Sequence, residues 1–457
     1  MRVCVIGGGI SGLSAAFRLQ RAGAQVQLFE ASARIGGLLG SQRIDECVVE
    51  TGADSILTEK PWGVALAREL GLEPSLIRTR TSPRGAYIVH EGVLERVPEG
   101  FSLMAPTDLA AMARSPLLSW PGKLRMGLDL VLPRGRARED ESLEGFVSRR
   151  FGREALDQLA QPLVGGIYGA DPASLSLSAT MPRFLELERD HRSVILGLRQ
   201  RAKQASEQSS GARYGMFVAF RGGMQELIDA LAKELSGVIH TEQPVSAVAR
   251  DAAGFRVTVG GAEREFERVV LALPAHRAAR CVQAFDAKLA AELSDIEYAS
   301  AATVTCLWER SEVPHAMDAF GFVVPARESC QILASTWASV KYEGRAPADK
   351  ALIRVFVGGY KGQERALWRD AELIELARRE LAVLMGVRAE PKWARVVRYE
   401  RAMPQYKLGH LARVARIEAL TAKHAGFALA GNAYRGVGIP DAIRSGEVAA
   451  TKVLADP

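Results

Sequence analysis

One segment near the N-terminus limits the fold more than any other. Val3-Cys4-Val5-Ile6 reads as a buried strand, GGGISG follows at 7–12, an amphipathic stretch runs from Leu13 to Arg21, and a second strand, Val26-Gln27-Leu28-Phe29, ends on Glu30. Strand, glycine turn, helix, strand and terminal carboxylate in this order make the opening βαβ unit of a dinucleotide-binding domain. Gly7 permits the tight turn, Gly9 lets the backbone approach a pyrophosphate, and Gly12 lets helix and strand pack closely, so the helix N-terminus faces the phosphates. Glu30 is placed to hold a ribose hydroxyl. As a carboxylate it repels a 2′-phosphate, which disfavours NADP. For the glycine pattern alone the alternative is a turn with no ligand.

The chain continues with Ala31-Ser32-Ala33-Arg34-Ile35-Gly36-Gly37, a cation and a flexible Gly-Gly just past the ribose carboxylate. Standing alone this is a surface turn with a solvated arginine. After the βαβ unit it resembles the extended FAD signature of the amine oxidase superfamily. In that setting Arg34 neutralises pyrophosphate charge, while Gly36 and Gly37 let the chain pass close to the ribityl chain and ring. Glu50-Thr51-Gly52-Ala53-Asp54 is a second polar-glycine segment, expected to line the flavin.

Length and charge narrow what the rest can be. The 457 residues exceed the commonest domain size several-fold, so two or three cores and room for a large cavity are expected. With 48% hydrophobic and 25% charged residues the composition is that of a globular protein. A surplus of +6, from 59 basic against 53 acidic residues, is too thin to argue for nucleic acid and leaves anionic small molecules and anionic membrane surfaces open. Five dispersed cysteines without a CxxC pair imply neither a disulfide framework nor a zinc site, and they fit a reducing cytoplasm. No two of the seven histidines stand four apart, so a metal is not expected. No apolar run approaches the roughly 18 to 20 residues that span a bilayer, which predicts a protein that is soluble or rests on a membrane.

Further along, a helical period runs from Pro61 to Leu72, and Tyr87-Ile88-Val89 and Val93-Leu94 flank a His90-Glu91-Gly92 turn as a hairpin. Residues 101–138 read as mostly helical, broken at Pro106, Pro116, Pro121 and Pro133. Between Met112 and Arg138 the basic residues Arg114, Lys123, Arg125, Arg134, Arg136 and Arg138 face one acidic residue, Asp129, with Trp120 among them. This is the composition either of a segment lying on anionic lipid or of a domain-packing helix with a solvated basic face. Helices are expected from Glu141 to Leu198, interrupted at 165–172, and Arg199–Gly211 reads as an exposed linker. Strands return at 217–220, 238–240, 245–248, 255–259 and 269–272, and 284–398 alternates strands with helices. A last strand at 427–430 leads through Gly436–Asp441 into a final helix. The N–H groups at its start either stabilise negative charge on a reduced flavin or serve as an N-cap and nothing more.

Taken together, these segments resemble the oxygen-dependent protoporphyrinogen and coproporphyrinogen oxidases of haem synthesis, within the amine oxidase superfamily. The likeness covers almost the whole chain. It is carried by GGIYGADPASLSLSATMPRF at 165–184, ERDHRSVILGL at 188–198, FRGGMQELIDAL at 220–231, MPQYKLGH at 403–410 and GNAYRGVGIPDAIRSG at 431–446. A generic amine oxidase shares the first and last glycine motifs but not the middle ones. The fold implied is α/β: a Rossmann-like FAD-binding domain of the GR2 type from 1–78, 206–283 and 399–457, a substrate-domain hairpin at 79–93, an inserted helical, membrane-associating domain at 94–205 and an α+β substrate domain at 284–398.

The resemblance implies FAD contacts at Gly7, Gly8, Gly9, Ile10, Ser11, Gly12, Glu30, Arg34, Gly36, Gly37, Gly52, Ala53, Asp54, Val245, Tyr399, Val437, Gly438 and Ile439. At Tyr399 a phenol replaces an indole frequent in the family. GIYGAD exchanges the small residues at 169 and 170 relative to the family, which alters the turn beside Gly166 and Tyr168, both expected at the substrate. Protoporphyrinogen-oxidising members often carry an arginine entering the hairpin, and here the nearest is Arg84, displaced along the chain. The wording around Ser335-Thr336-Trp337, Met403–Tyr406 and Gly438–Asp441 is closer to the bacterial branch that accepts coproporphyrinogen III. Lys60 and Arg84 are candidate partners for substrate carboxylates, and both read equally as exposed cations.

The reaction implied removes six electrons from a porphyrinogen in three two-electron steps, with molecular oxygen as acceptor and flavin N5 carrying the chemistry, so no side-chain nucleophile is expected. A flavin amine oxidase or a carotenoid-type desaturase is the rival on the same scaffold. A tetrapyrrole-binding flavoprotein without oxidase activity is the rival of another class. A cytoplasmic location is expected, with a membrane surface or the next haem-pathway enzyme as docking partner.

Overall fold

The structure, a computed structural model, describes residues 1–136, 139–208, 216–251, 254–359 and 362–456. The chain divides into two compact units, both discontinuous in sequence. Met1–Arg78, Tyr214–Glu297 and His410–Pro457 form the first, and Thr79–Arg213 and Tyr298–Gly409 the second.

In the first unit, strand β1 (Arg2–Ile6), helix α1 (Ile10–Arg21) and strand β2 (Gln25–Phe29) stand where the glycine motif requires them. β1 pairs in parallel with β2 on one side and with Arg268–Leu271 on the other. A strand covered on both faces needs an unbroken apolar run, and Val3, Cys4 and Val5 are fully buried. The all-parallel sheet has the order Ile239–His240, β2, β1, Arg268–Leu271, Phe427–Leu429, so three stretches remote in sequence close one core. The C-terminal helix Ile439–Ala455 packs on α1, and a Cβ on Gly446 would lie 2.1 Å from the Ser11 carbonyl oxygen. Only glycine permits that approach. A separate antiparallel sheet comprises Val245–Asp251, Gly254–Val259 and Ala262–Phe266.

The second unit is built on a seven-stranded sheet with the order Trp393–Pro404, Tyr298–Glu309, Lys350–Gly358, Ala334–Trp337, Gly321–Val323, Tyr87–His90, Val93–Arg96. One face carries Val304, Trp308, Trp337 and Val355 into a core shared with Leu373, Leu376 and Leu381 of helix Asp370–Met385. The helices of 94–205 fall in this same unit and hold a buried ion network. Arg150, 1% exposed, donates from Nε to Asp129 Oδ1 at 2.6 Å, while Ser193 Oγ and the Ile195 N–H donate to Asp129 Oδ2 at 2.6 and 3.0 Å.

Several expectations need correction. Residues 101–138 are not mostly helical: Phe101–Ser102 pairs with Ala105–Pro106 before two short helices, Leu109–Arg114 and Trp120–Gly127. Asp108 and Ser119 start those helices by accepting from their first-turn N–H groups. No break occurs at Gly165-Gly166, where helix Gln161–Tyr168 runs through and ends at Gly169, left-handed at φ +57°. The linker expected at 199–211 is helical as far as Gln208, and its last residues lie outside the described ones. A boundary at 399 would cut strand Trp393–Pro404, which pairs with Tyr298–Glu309 along most of its length.

Candidate cofactor site

The glycine turn of the first unit is shaped by contacts that no side chain tolerates. Gly7 has φ +107°, and a Cβ there would meet the Ala272 carbonyl oxygen at 2.5 Å. A Cβ on Gly12 would lie 1.9 Å from the Gly7 carbonyl oxygen, so α1 starts in direct contact with the turn. Gly9 is different. It caps α1 at φ −71°, ψ 171°, and a Cβ there would meet only Gly37 Cα, at 4.0 Å. The protein therefore leaves a cradle in front of Gly9. No side chain caps α1, whose first-turn N–H groups, around Ile10, Ser11 and Gly12, lack an intrahelical acceptor. Open backbone, free helix N-terminus and the dipole along α1 together fit a pyrophosphate.

Glu30 closes the cradle on one side. Its Oε2 accepts from the Gly8 N–H at 2.7 Å, and its Oε1 accepts from the N–H and Oγ of Ser32 at 2.9 and 2.8 Å. These bonds hold the carboxylate still, with lone pairs left for hydroxyl donors. The Gly36 N–H donates to the Gly8 carbonyl at 2.8 Å, tying the second glycine pair to the first. Gly36 and Gly37 have φ of +102° and +59°, and a Cβ on Gly37 would reach Gly9 Cα at 3.1 Å. Arg34, expected at the pyrophosphate, is exposed. It donates to the carbonyls of Ile35, Gly37 and Leu39 at 3.1, 2.6 and 3.1 Å, so its guanidinium knits the loop.

The remaining first-unit residues assemble around this turn by sequence-distant contacts. A Cβ on Gly52 would lie 1.7 Å from the Leu38 carbonyl oxygen, which presses the 50–54 segment onto the 36–39 loop. Ala53 is exposed and Asp54 accepts from Ser55 Oγ at 2.7 Å. Glu50, at the head of the polar-glycine segment, is buried and accepts from Ser41 Oγ at 2.6 Å and from the Met224 N–H at 3.2 Å. Val245 opens an edge strand that bulges before Ala247, and its carbonyl faces Cys281 Sγ at 3.8 Å. Burial pushes the Cys281 thiol up to about 11.

At the C-terminal helix, Val437 precedes the cap Gly438 and Ile439 begins the helix. Asp441 accepts from the Gly438 N–H at 3.3 Å, and both its oxygens accept from Lys60 Nζ at 2.7 Å. Part of the positive helix end is thus taken by the chain's own carboxylate. Lys60, expected to meet a substrate carboxylate, is committed to this one. Tyr399, Arg84, Gly166 and Tyr168 belong to the second unit. Arg84 is exposed, Gly166 is exposed on helix Gln161–Tyr168, and Tyr168 donates from its hydroxyl to the Thr180 carbonyl at 3.1 Å. Tyr399 accepts from Arg354 Nη2 at 3.0 Å.

A parallel sheet with an uncapped helix, a glycine cradle and a fixed carboxylate at its edge defines a dinucleotide-binding α/β protein. The chain matches the model of the flavin containing amine oxidoreductases over residues 10–454. Coproporphyrinogen III oxidase of Bacillus subtilis (strain 168) is 31% identical over 99% of this chain and 97% of that protein. The enzyme of that name from Propionibacterium freudenreichii subsp. freudenreichii is 33% identical, covering 98% and 90%. A crystal structure from Exiguobacterium sp. 255-15, assigned provisionally as a protoporphyrinogen oxidase, superposes with TM-score 0.88 at 30% identity, covering 99% of this chain and 98% of that one. The chain belongs to the flavin containing amine oxidoreductases, in the family of these porphyrinogen oxidases, and its cofactor is FAD.

Proposed function

We propose that the chain oxidises a porphyrinogen to the porphyrin, with coproporphyrinogen III as the favoured substrate and molecular oxygen as the acceptor. One observation carries this reading. Coproporphyrinogen III oxidases are 31 to 33% identical to the chain over 98 to 99% of its length, through both units. FAD, when bound, supplies the two-electron acceptor for three successive oxidations. The chain's residues hold and orient it: the N-terminus of α1 at the pyrophosphate, Glu30 at the ribose, the 36–37 and 52–54 backbone along the ribityl chain, and Val437–Ile439 at the pyrimidine edge. Porphyrin fluorescence formed from coproporphyrinogen III and protoporphyrinogen IX at equal concentration, with peroxide measured in parallel, tests the proposal. Faster porphyrin formation from coproporphyrinogen is expected. Amine oxidation without any porphyrin would favour the rival reading.

As partner surface, the region after Asp108 favours anionic lipid. Trp120, Leu124, Leu128 and Val131 are 67, 71, 46 and 66% exposed and recur at helical spacing. Lys123 Nζ stands 4.7 Å from the Trp120 ring, and Arg114, Arg134 and Arg136 are exposed nearby in sequence. Arg125 is turned inward onto the carbonyls of Ser148, Arg149 and Arg150, and Arg138 lies outside the described residues. An apolar stripe among cations suits an interfacial site. Among the described residues no helix is long and apolar enough to cross a membrane. Vesicles containing phosphatidylglycerol should sediment the protein, and the double change Trp120→Ser, Leu124→Ser should release it. Unchanged sedimentation refutes the lipid reading and turns attention to the next enzyme of the pathway as occupant.

A further inference from the structure

We infer that residues 313–319 form an acid-sensitive latch on the hairpin Tyr87–His90, Val93–Arg96 of the second unit, held shut by a neutral His315 and released when that imidazole takes a proton. The loop follows strand Tyr298–Glu309 and the short turn Arg310–Glu312, and it rejoins the sheet at Gly321–Val323. Val313, Met317 and Ala319 are buried in the apolar core of the unit, while His315 and Asp318 are partly exposed. Asp318 ties the loop to the hairpin. It accepts from the Tyr87 hydroxyl at 2.6 Å and from Arg96 Nη2, and the Arg96 guanidinium stands 5.2 Å from the centre of the Tyr87 ring. Just beyond, the Phe320 N–H donates to the Gly85 carbonyl at 3.0 Å.

The turn that aims Asp318 depends on one hydrogen bond. The Met317 N–H donates to His315 Nδ1 at 2.9 Å. That bond needs a lone pair on Nδ1, so the ring is neutral with its proton on Nε2. An imidazolium carries N–H groups at both nitrogens and would set one donor against another. Met317 has φ +52°, a left-handed backbone that is unfavourable for a residue with a Cβ. Arg310 braces the first half of the loop by donating to the carbonyls of Val313, His315 and Ala316 at 2.7, 3.1 and 2.9 Å. The strained step at Met317 lies past that brace, and the imidazole is what holds its N–H.

The surroundings of the ring also oppose a proton. Its centre lies 4.9 Å from that of Trp337 and 5.4 Å from that of Tyr87. Burial holds the His315 imidazole below the ordinary histidine value of 6.5; Asp318 pulls the other way, and Arg310 and Arg96 side with burial. The other packed elements add no charge: strands Ala334–Trp337 and Gly321–Val323 carry no ionisable side chain, and Gly386, against Pro314, has none. Burial and the bond to Asp318 raise the Tyr87 phenol, which stays neutral. The shut loop therefore binds a proton less readily than the open one, and falling pH favours opening. Asp318, held low by the Tyr87 bond, stays a carboxylate in this range, so acid removes the turn that aims it and not its charge.

Hydrogen exchange of the FAD-loaded protein tests the inference, read by mass spectrometry on peptides covering 313–320 and 87–96 at about pH 7.5 and 5.5 and corrected for the intrinsic rate. Protonation of the open loop should lower the protection of 313–320 by up to about 10-fold between the two conditions, with the hairpin following and Val3–Ile6 unchanged. His315→Asn keeps an acceptor for the Met317 N–H, as in an Asx turn, and takes no proton, so its protection should be the same at both pH values. Four results overturn the inference: unchanged protection of 313–320 in the wild type, the same fall in His315→Asn, a hairpin that stays protected while the loop opens, or an equal fall at Val3–Ile6. Should His315→Asn not retain FAD, His315→Gln, equally uncharged, decides, and a fall as large as the wild type's overturns the inference.

Discussion

Adding one methyl group at Gly9 should separate cofactor binding from folding. The backbone there, at φ −71° and ψ 171°, suits any L-residue, and the nearest protein atom to the new Cβ is Gly37 Cα at 4.0 Å. Gly9→Ala therefore costs the apoprotein nothing in contacts, and relief of unfolded-chain entropy raises its stability by about 0.4–1 kcal/mol. The methyl instead enters the space in front of the helix N-terminus. Overpacking of a filled site costs about 1–3 kcal/mol, equivalent to a 5- to 150-fold weaker Kd for FAD. Gly12→Ala is the contrasting change. Its Cβ would start 1.9 Å from the Gly7 oxygen, where real contacts are not found under 3.0 Å, so the apoprotein itself must rearrange. Melting of both apoproteins by scanning fluorimetry and FAD titration by quenching of flavin fluorescence give the two readouts. Gly9→Ala should melt at or above wild type and bind FAD weakly, whereas Gly12→Ala should melt lower. Wild-type FAD affinity in Gly9→Ala, or an apoprotein several degrees less stable, refutes the placement of the phosphates.

Three further outcomes follow from the same contacts. Arg150→Met strands Asp129 in the helical part of the second unit and should cost about 3–5 kcal/mol in urea unfolding, and a loss under about 1 kcal/mol would contradict a shared buried network. Burial pushes the Glu188 carboxyl up, but donation from Arg149 and the Gly135 N–H outweighs it and the net shift is downward. Its contribution is therefore full above the ordinary glutamate value, about 4.3, and fades as pH falls through the lower folded value, so Glu188→Gln should flatten the decline of the urea midpoint in acid; parallel wild-type and variant curves argue against it. Lys60 is 40% and Asp441 12% exposed, so solvent screens the pair and a double-mutant cycle should return less than about 1 kcal/mol. A larger coupling would show that the pair is sealed from water.

What was readable without coordinates was local. Residues 2–30 announce a strand, a turn, a helix and a strand because each depends on neighbours a few positions away, and Gly7 and Gly12 sit where φ or contact forbids a side chain. The helix through Gly165 and Gly166 was misread for the opposite reason. Two glycines in a row signal a break locally, but packing against neighbouring elements overrides propensity, and only Gly169 needs the left-handed conformation. Arg34 shows the limit within the motif itself: its charge was legible, while its three carbonyl acceptors depend on how residues 35–39 fold back.

The sequence by itself determined that a glycine turn, a helix N-terminus and a carboxylate stand side by side, because that arrangement is written within thirty consecutive residues. Tertiary structure alone decided that Lys60 meets Asp441, that Glu50 steadies Met224, and that Arg354 and Tyr399 share one face of a sheet. Those partners lie 381, 174 and 45 positions apart, and residue type fixes what a side chain can bond but not which distant strand or helix will be folded against it.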